Sequence, residues 1–471
     1  MKYSAERIAA FENYLEQIRQ AYQAPGIVVA LAEQGEVTYQ ASFGHRDLAA
    51  GLPVDGQTIF GLASVTKSFT ALAIMQLAER GLLQPEDPVV RYLPEFGLPT
   101  GADAQAVTIH HLLTHTAGFP PLPTLNYSIT GNTVPDEPES EDEDGAKDKP
   151  ENPRVDTMAD LLDYLKNGDY EMLGQPGEYL SYSNDCYGLL GEIVERVSGE
   201  PYQEYVRRHI LQPLGMERSV FTVEELQALD NVTELYYRTR DEELKHSSNW
   251  QVAPPFVACG WLKSCVDDLI KYAQMYANGG KWGEERLLSA AGVERMRQRT
   301  LEFTENRRYG YGLVVQDYAG VTLVDHGGSL KGVSSNMGFV PEKGIAAVVL
   351  CNTSGVPVAK IYHALINLAL GLPIEEPRRT YRHQPWPEDL MEKVVGAYKS
   401  GEGATYTIEK SGDGLSIGGW LGTFPLYATG SASAVWHYRY SDNEVRFMAD
   451  ADGEVWAIHA GGRVIPRKKP E

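Results

Sequence analysis

From Phe69 to Ala78 the chain runs almost without polar interruption, through Leu72, Ala73, Ile74, Met75 and Leu77, before reaching Glu79-Arg80 and Gly81. The pattern predicts a helix closed by Gly81 just past its C-terminus. A helix that is apolar on nearly every side must be covered all round, so it belongs at the centre of the fold. Its first turn carries Ser64-Val65-Thr66-Lys67. Residues three apart share a helix face, which brings the Lys67 amine to the Ser64 hydroxyl, and the helix start adds unpaired N–H groups and positive potential. Such a pair makes a nucleophile with its own proton acceptor. By itself, S-x-x-K should arise by chance about once or twice in a chain this long, because Ser and Lys are common residues. The rest of the sequence has to decide its meaning.

With 471 residues the chain exceeds the size at which one core stops growing, and two or three modules are expected. The formal charge of −22 argues against the broad basic surface that a nucleic-acid backbone needs, so no nucleic acid partner is expected. Residues from Met1 to Arg7 lead into an amphipathic segment with Ile8, Phe11, Leu15 and Ile18, and carry no apolar signal region. No stretch approaches the roughly 18 apolar residues of a membrane span. The chain is therefore expected to be cytoplasmic and away from membranes. Cys186, Cys259, Cys265 and Cys351 are too few and too scattered for a disulfide scaffold, and are expected to be buried free thiols.

Gly26 to Ala32 and Val37 to Gly44 read as two strands of a hairpin around Gln34-Gly35-Glu36. From Ser64 to about Lys245 the patterns are mostly helical. Strands return at Tyr311 to Val315, Val321 to Val324, Ser334 to Val340 and Ile345 to Leu350, followed by a helix near Ala359 to Leu370. Asp136 to Asn152 is a charge run within an acidic insertion at about 135–153, expected to be solvated. A Pro-rich stretch, 376–389, reads as a linker between a body at 1–375 and a second unit at 390–471. Beyond it, short alternating runs at Ala404 to Ile408, Leu415 to Ile417, Ala434 to Tyr438, Val445 to Met448 and Val455 to Ile458 suggest a small all-β barrel or sandwich.

Further motifs follow the S-x-x-K in order. They are Leu112-Leu113-Thr114-His115-Thr116-Ala117-Gly118, then Tyr182-Ser183-Asn184 after Gln175-Pro176-Gly177-Glu178, then His326-Gly327-Gly328-Ser329 at the end of a predicted strand. His110, His111 and His115 lack the H-E-x-x-H pattern of a zinc helix, and no metal site is expected there. Taken together, the motifs resemble the serine β-lactamase and penicillin-binding-protein superfamily. Within it, the resemblance is to the class C β-lactamase-like branch, which includes D-aminopeptidases, D-Ala-D-Ala carboxypeptidases and esterases. The C-terminal runs are similar to the lipocalin-like domains appended to some of these hydrolases.

The resemblance implies an α+β fold: an antiparallel sheet flanked by helices, an all-helical subdomain, and a small all-β barrel after it. It implies that Ser64 forms an acyl-enzyme, that Lys67 accepts or relays its proton, and that Tyr182 is the second acid/base group. Asn184 would orient Lys67 and hold the substrate, a role needing both a donor and an acceptor. The N–H groups of Ser64 and Ser329 would form the oxyanion hole, with Gly327 and Gly328 letting substrate lie against the strand. His326 departs from the lysine of true β-lactamases. A mostly neutral imidazole suits a carboxylate poorly, so weight moves towards peptides with a free N-terminus, amides or esters; His326 could also donate to substrate or to Tyr182. The expected activity is that of a serine peptidase or amidase, without cofactor, acting on a small peptide, amide or ester. A carboxylesterase and a catalytically silent binding protein are the alternatives. The C-terminal barrel, with apolar Trp420, Phe424 and Trp436, is expected either to cap the cleft or to mediate homo-oligomerisation.

Overall fold

The computed structural model describes residues 2–130 and 153–468, apart from 248, 299 and 305. The acidic run from Asp136 to Asn152 lies outside the described residues.

Gly26–Glu33 and Glu36–Asp47 form the expected hairpin, with Gly26 opposite Gly44. The hairpin joins Ile345–Cys351, and the antiparallel sheet continues through Val333–Val340, Val321–Leu330 and Val314–Tyr318 to two short edge strands. Alternation along Gly26–Glu33 shows why this strand sits near the middle. Ile27, Val29 and Leu31 enter one apolar layer with Phe11, Leu15, Ile361 and Leu365, while Val28, Ala30 and Ala32 enter the other with Leu72 and Leu269. The first layer lies under the helices Ala5–Ala21 and Val358–Leu370. The second holds Val266–Ala277 and Thr66–Glu79.

Every residue from Thr66 to Leu77 is buried, as the unbroken apolar pattern requires. Phe69 stacks on Tyr272 with ring centres 3.7 Å apart and planes 7° from parallel. The remaining helices, including Asn184–Ser198, close the far side of this central helix.

After the body, Glu388–Val394 forms a helix, and eight strands from Gly396 to Pro466 follow one another in sequence order as an antiparallel sheet. Tyr398 bridges to Arg467, which brings the sheet's two ends together into a nearly closed barrel. Val394, Tyr398, Ile417, Phe447 and Ile458 belong to its own core.

The structure corrects several local readings. The strand expected from Tyr311 begins at Val314, because Gly312 takes φ +63 where its backbone passes the Lys67 carbonyl; a Cβ there would lie 2.7 Å from that oxygen. The strand expected over Val321 to Val324 runs on to Leu330, so His326 to Ser329 form its closing residues. Strands Gly396–Lys399, Gly422–Ala428 and Arg463–Pro466 were not legible in the sequence. The Pro-rich stretch runs against the barrel, with Gln384 N donating to Ala428 O at 2.8 Å and Arg379 paired with Glu444.

Candidate active site

Ser64 lies in a single turn, Ala63–Val65, that leads directly into the buried helix. Ala63 takes φ +46, a left-handed conformation that costs an alanine about 1–2 kcal/mol. This bend sets Ser64 beside Lys67. Lys67 Nζ stands 3.2 Å from Ser64 Oγ, 2.9 Å from Asn184 Oδ1 and 2.8 Å from the Cys259 carbonyl. The last two oxygens can only accept, so they take two N–H bonds and leave the third direction of Nζ facing the hydroxyl. An amine so placed can exchange a proton with that hydroxyl as it attacks an acyl carbon.

Asn184 opens the helix Asn184–Ser198, where the Ser183 hydroxyl accepts from Cys186 N at 3.3 Å as the N-cap. The preceding loop is held from below. His115, at φ +58, accepts from Ser183 N through Nδ1 at 3.1 Å, and its carbonyl accepts from Ser181 N at 2.9 Å. Its ring lies 4.2 Å from that of Tyr182. Burial first, then the Lys67 charge, holds the His115 imidazole well below its usual range, so it is a neutral support. Tyr182 itself lies between cations: Lys67 Nζ is 4.8 Å from its ring centre and the Arg463 guanidinium 5.0 Å.

The strand Val321–Leu330 pairs along one side with Val333–Val340, but on the other side Val314–Tyr318 reaches only as far as Asp325. From His326 to Leu330 that second edge has no strand beside it among the described residues. Gly328 abuts the Ser64 turn so closely that a Cβ would lie 2.2 Å from Leu62 O and 3.0 Å from Ser64 N. Its lack of a side chain is thus demanded by the protein's own packing. At Gly327 a Cβ would meet nothing nearer than 3.5 Å.

His326 makes no hydrogen bond to Tyr182, one of the two partners open to it. Nε2 lies 2.8 Å from the Tyr309 hydroxyl and Nδ1 2.7 Å from Gly327 O. A carbonyl only accepts, so Nδ1 carries the proton and Nε2 accepts from Tyr309, not from or to Tyr182. Burial, then the Lys67 charge, pushes its pKa down to about 4. The ring is neutral with both nitrogens engaged. His110 pairs with the Tyr311 hydroxyl at 2.8 Å and His111 caps its own short helix at Thr108, so the three clustered histidines diverge.

Ser64, Tyr182, Asn184 and Ser329 line one cleft of about 230 Å³, walled by Leu125, Trp261 and Leu330. Two further wall residues come from the barrel. Arg463 and Glu402 form a two-point ion pair there, one contact at 3.2 Å. The same strand end is anchored to the body: Tyr182 N donates to Gly462 O at 2.8 Å, and Val464 N to Ser181 Oγ at 3.2 Å. The Tyr309-Gly310-Tyr311-Gly312 run resembles a family segment that enters the sheet near the cleft, but its pairing with His326 is not marked in the sequence. Sequence reasoning missed Arg463, Glu402 and the Cys259 carbonyl, with only a Gly-Gly turn before Arg463 as a hint.

A family model described as Beta-lactamase matches residues 11–370. The chain belongs to the β-lactamase family. Within the family it is 26% identical over 426 residues to penicillin-binding protein 4* of Bacillus subtilis, covering 87% of each chain. It is 29% identical over 388 residues to esterase EstB of Burkholderia gladioli, covering 74% of this chain and 92% of that one. Among solved structures, the octameric penicillin-binding protein homologue from Pyrococcus abyssi superposes with a TM-score of 0.69 at 30% identity, over 98% of this chain and all of that one. The likeness to that structure extends past the matched family region and takes in the barrel.

Proposed function

We propose that this β-lactamase-family member is a serine hydrolase that forms an acyl-enzyme on Ser64, and that it is a peptidase or amidase. The observation that carries the reading is the 3.2 Å approach of Lys67 Nζ to Ser64 Oγ, with Asn184 and Cys259 occupying the other directions of the amine. In its neutral form Lys67 takes the Ser64 proton as Oγ attacks the acyl carbon, and the N–H groups of Ser64 and Ser329 receive the developing oxyanion. Asn184 holds Lys67 and offers its amide N–H to the substrate. Tyr182 passes a proton to the leaving nitrogen, and water then releases the acyl group by the reverse sequence. Substrate lies along the open edge from His326 to Leu330, against Gly327.

Two observations favour amides with a charged end over β-lactams. His326 is neutral and closed on Tyr309, so the position that is lysine in true β-lactamases offers no cation. The Arg463–Glu402 pair instead offers both signs of charge at the cleft wall, which suits a peptide terminus. Parallel kinetics with a D-amino-acid p-nitroanilide, a p-nitrophenyl ester and a chromogenic cephalosporin test this. Amide turnover is expected, with the cephalosporin the poorest substrate; turnover of the ester alone would favour the carboxylesterase reading, which the EstB relative keeps in view. Failure of Ser64 to react with a fluorophosphonate would favour a silent binding protein.

We also infer that the chain self-associates through the barrel. Trp420, 61% exposed, and Leu421, 40% exposed, stand at the turn of the hairpin that pairs Gly419 with Gly422, and the Pyrococcus homologue is octameric. Mass in solution for the wild type and Trp420→Ser decides it.

A further inference from the structure

Between the sheet edge, the Pro-rich stretch and the barrel lies a cavity of about 400 Å³, on the far side of the Gly461-Gly462 turn from Arg463. Its size is that of a small-molecule site. Four arginines and three carboxylates stand in its wall, and the pairing of the arginines is uneven. Arg379 is taken up by Glu444, and Arg307 gives Nη2 to both oxygens of Asp325 at 3.0 and 3.2 Å. Arg307 Nε is nevertheless buried with no partner. The side chains of Arg378 and Arg308 make neither a hydrogen bond nor an ion pair among the described residues.

Arg378 is the telling residue. Burial, and then the neighbouring Arg307 charge, push its guanidinium down to about 10, which still leaves it charged at neutral pH. Asp325 and Asp442 pull in the opposite direction but neither bonds to it: Asp325 pairs with Arg307, and Asp442 with Lys360 at 2.8 Å and His437 at 3.0 Å. Asp317 also lines the cavity, and it too has a partner. Arg378 is half-buried and Arg308 exposed, so both guanidinium groups face the cavity within reach of solvent, and an anion entering it can accept from them, beside the buried, unpartnered Arg307 Nε. Trp436, Tyr406 and Tyr381 add flat apolar faces to the same cavity.

We propose that this cavity binds a small organic oxyanion, with Arg378 and Arg308 holding its phosphoryl or carboxylate group and Trp436, Tyr406 and Tyr381 flanking its organic part. Planar donors in a fixed fork suit either anionic group. The site is separate from Ser64 and does not depend on the hydrolase reading.

The test is thermal unfolding of the full chain with inorganic phosphate or citrate against chloride at equal ionic strength. A saturable rise of several degrees is expected, and the more effective of the two anions identifies the phosphoryl or the carboxylate form. Arg378→Met should abolish the rise and, in chloride, leave the Tm equal to or above the wild type, because it removes a charge that repels Arg307 and makes no bond of its own. No rise with either anion, an equal rise in the variant, or a variant Tm well below wild type in chloride would each overturn the site. Should the variant fail to fold, calorimetric titration of the wild type decides: saturable heat with phosphate or citrate supports the site, and none overturns it.

Discussion

The guanidinium of Arg463 lies 5.0 Å from the centre of the Tyr182 ring, so the last strand of the barrel touches the candidate acid/base residue of the body. Arg463→Ala would remove this contact and the ion pair with Glu402 together. Contacts of these two kinds amount to roughly 1–2 kcal/mol, so kcat/KM should fall about tenfold. Fluorophosphonate labelling of Ser64 should persist, and comparing the labelling rate with steady-state kinetics on one peptide substrate checks both halves.

Ser64→Ala should eliminate labelling and turnover. Lys67→Ala should slow acylation at least about a hundredfold, the scale of a positioned acid/base group. Stopped-flow measurement of the acylation burst is the check, and a near-normal burst would exclude Lys67 as the proton acceptor.

Gly328→Ala and Gly327→Ala should part company. At 328 the added carbon meets Leu62 O at 2.2 Å and Ser335 Oγ at 2.5 Å, so the Ser64 turn must shift and both Tm and acylation should drop. At 327 there is room, so Tm should stay near the wild-type value while KM rises if substrate lies on that edge. Thermal denaturation beside Michaelis–Menten kinetics separates the two effects.

Stability should decline in mild acid. His326, His363 and His459 are buried, and burial pushes their pKa values down to about 4, 3 and 3. Because the unfolded imidazole, near 6.5, binds protons that the folded one refuses, this stability is complete above about pH 6.5 and is lost as pH falls towards the folded values. His363 donates from Nδ1 to Ala359 O and accepts from Gln316, and His363→Gln should flatten the slope by on the order of 1–3 kcal/mol between pH 6.5 and 4.5. Urea midpoints at several pH values would show whether it does.

Local pattern was enough for much of this. An unbroken apolar run dictates a buried helix because no face of it can meet water, and S-x-x-K at its start places two side chains on one helical turn. The alternating, β-branched strands of the sheet were legible for the same reason, since period and burial are properties of a short window. The order of the motifs was enough to suggest the family. The tertiary structure decided what depends on residues far apart in the chain. It turned His326 to Tyr309 and not to Tyr182, set His115 under the Tyr182 ring, and filled the third side of Lys67 with the carbonyl of Cys259, a backbone group that no sequence pattern marks. It also carried Glu402 and Arg463, more than 330 residues beyond Ser64 by numbering, into the same cleft. Periodicity encodes which face of an element is buried; which distant side chain meets that face is fixed only when the layers and the barrel close on one another.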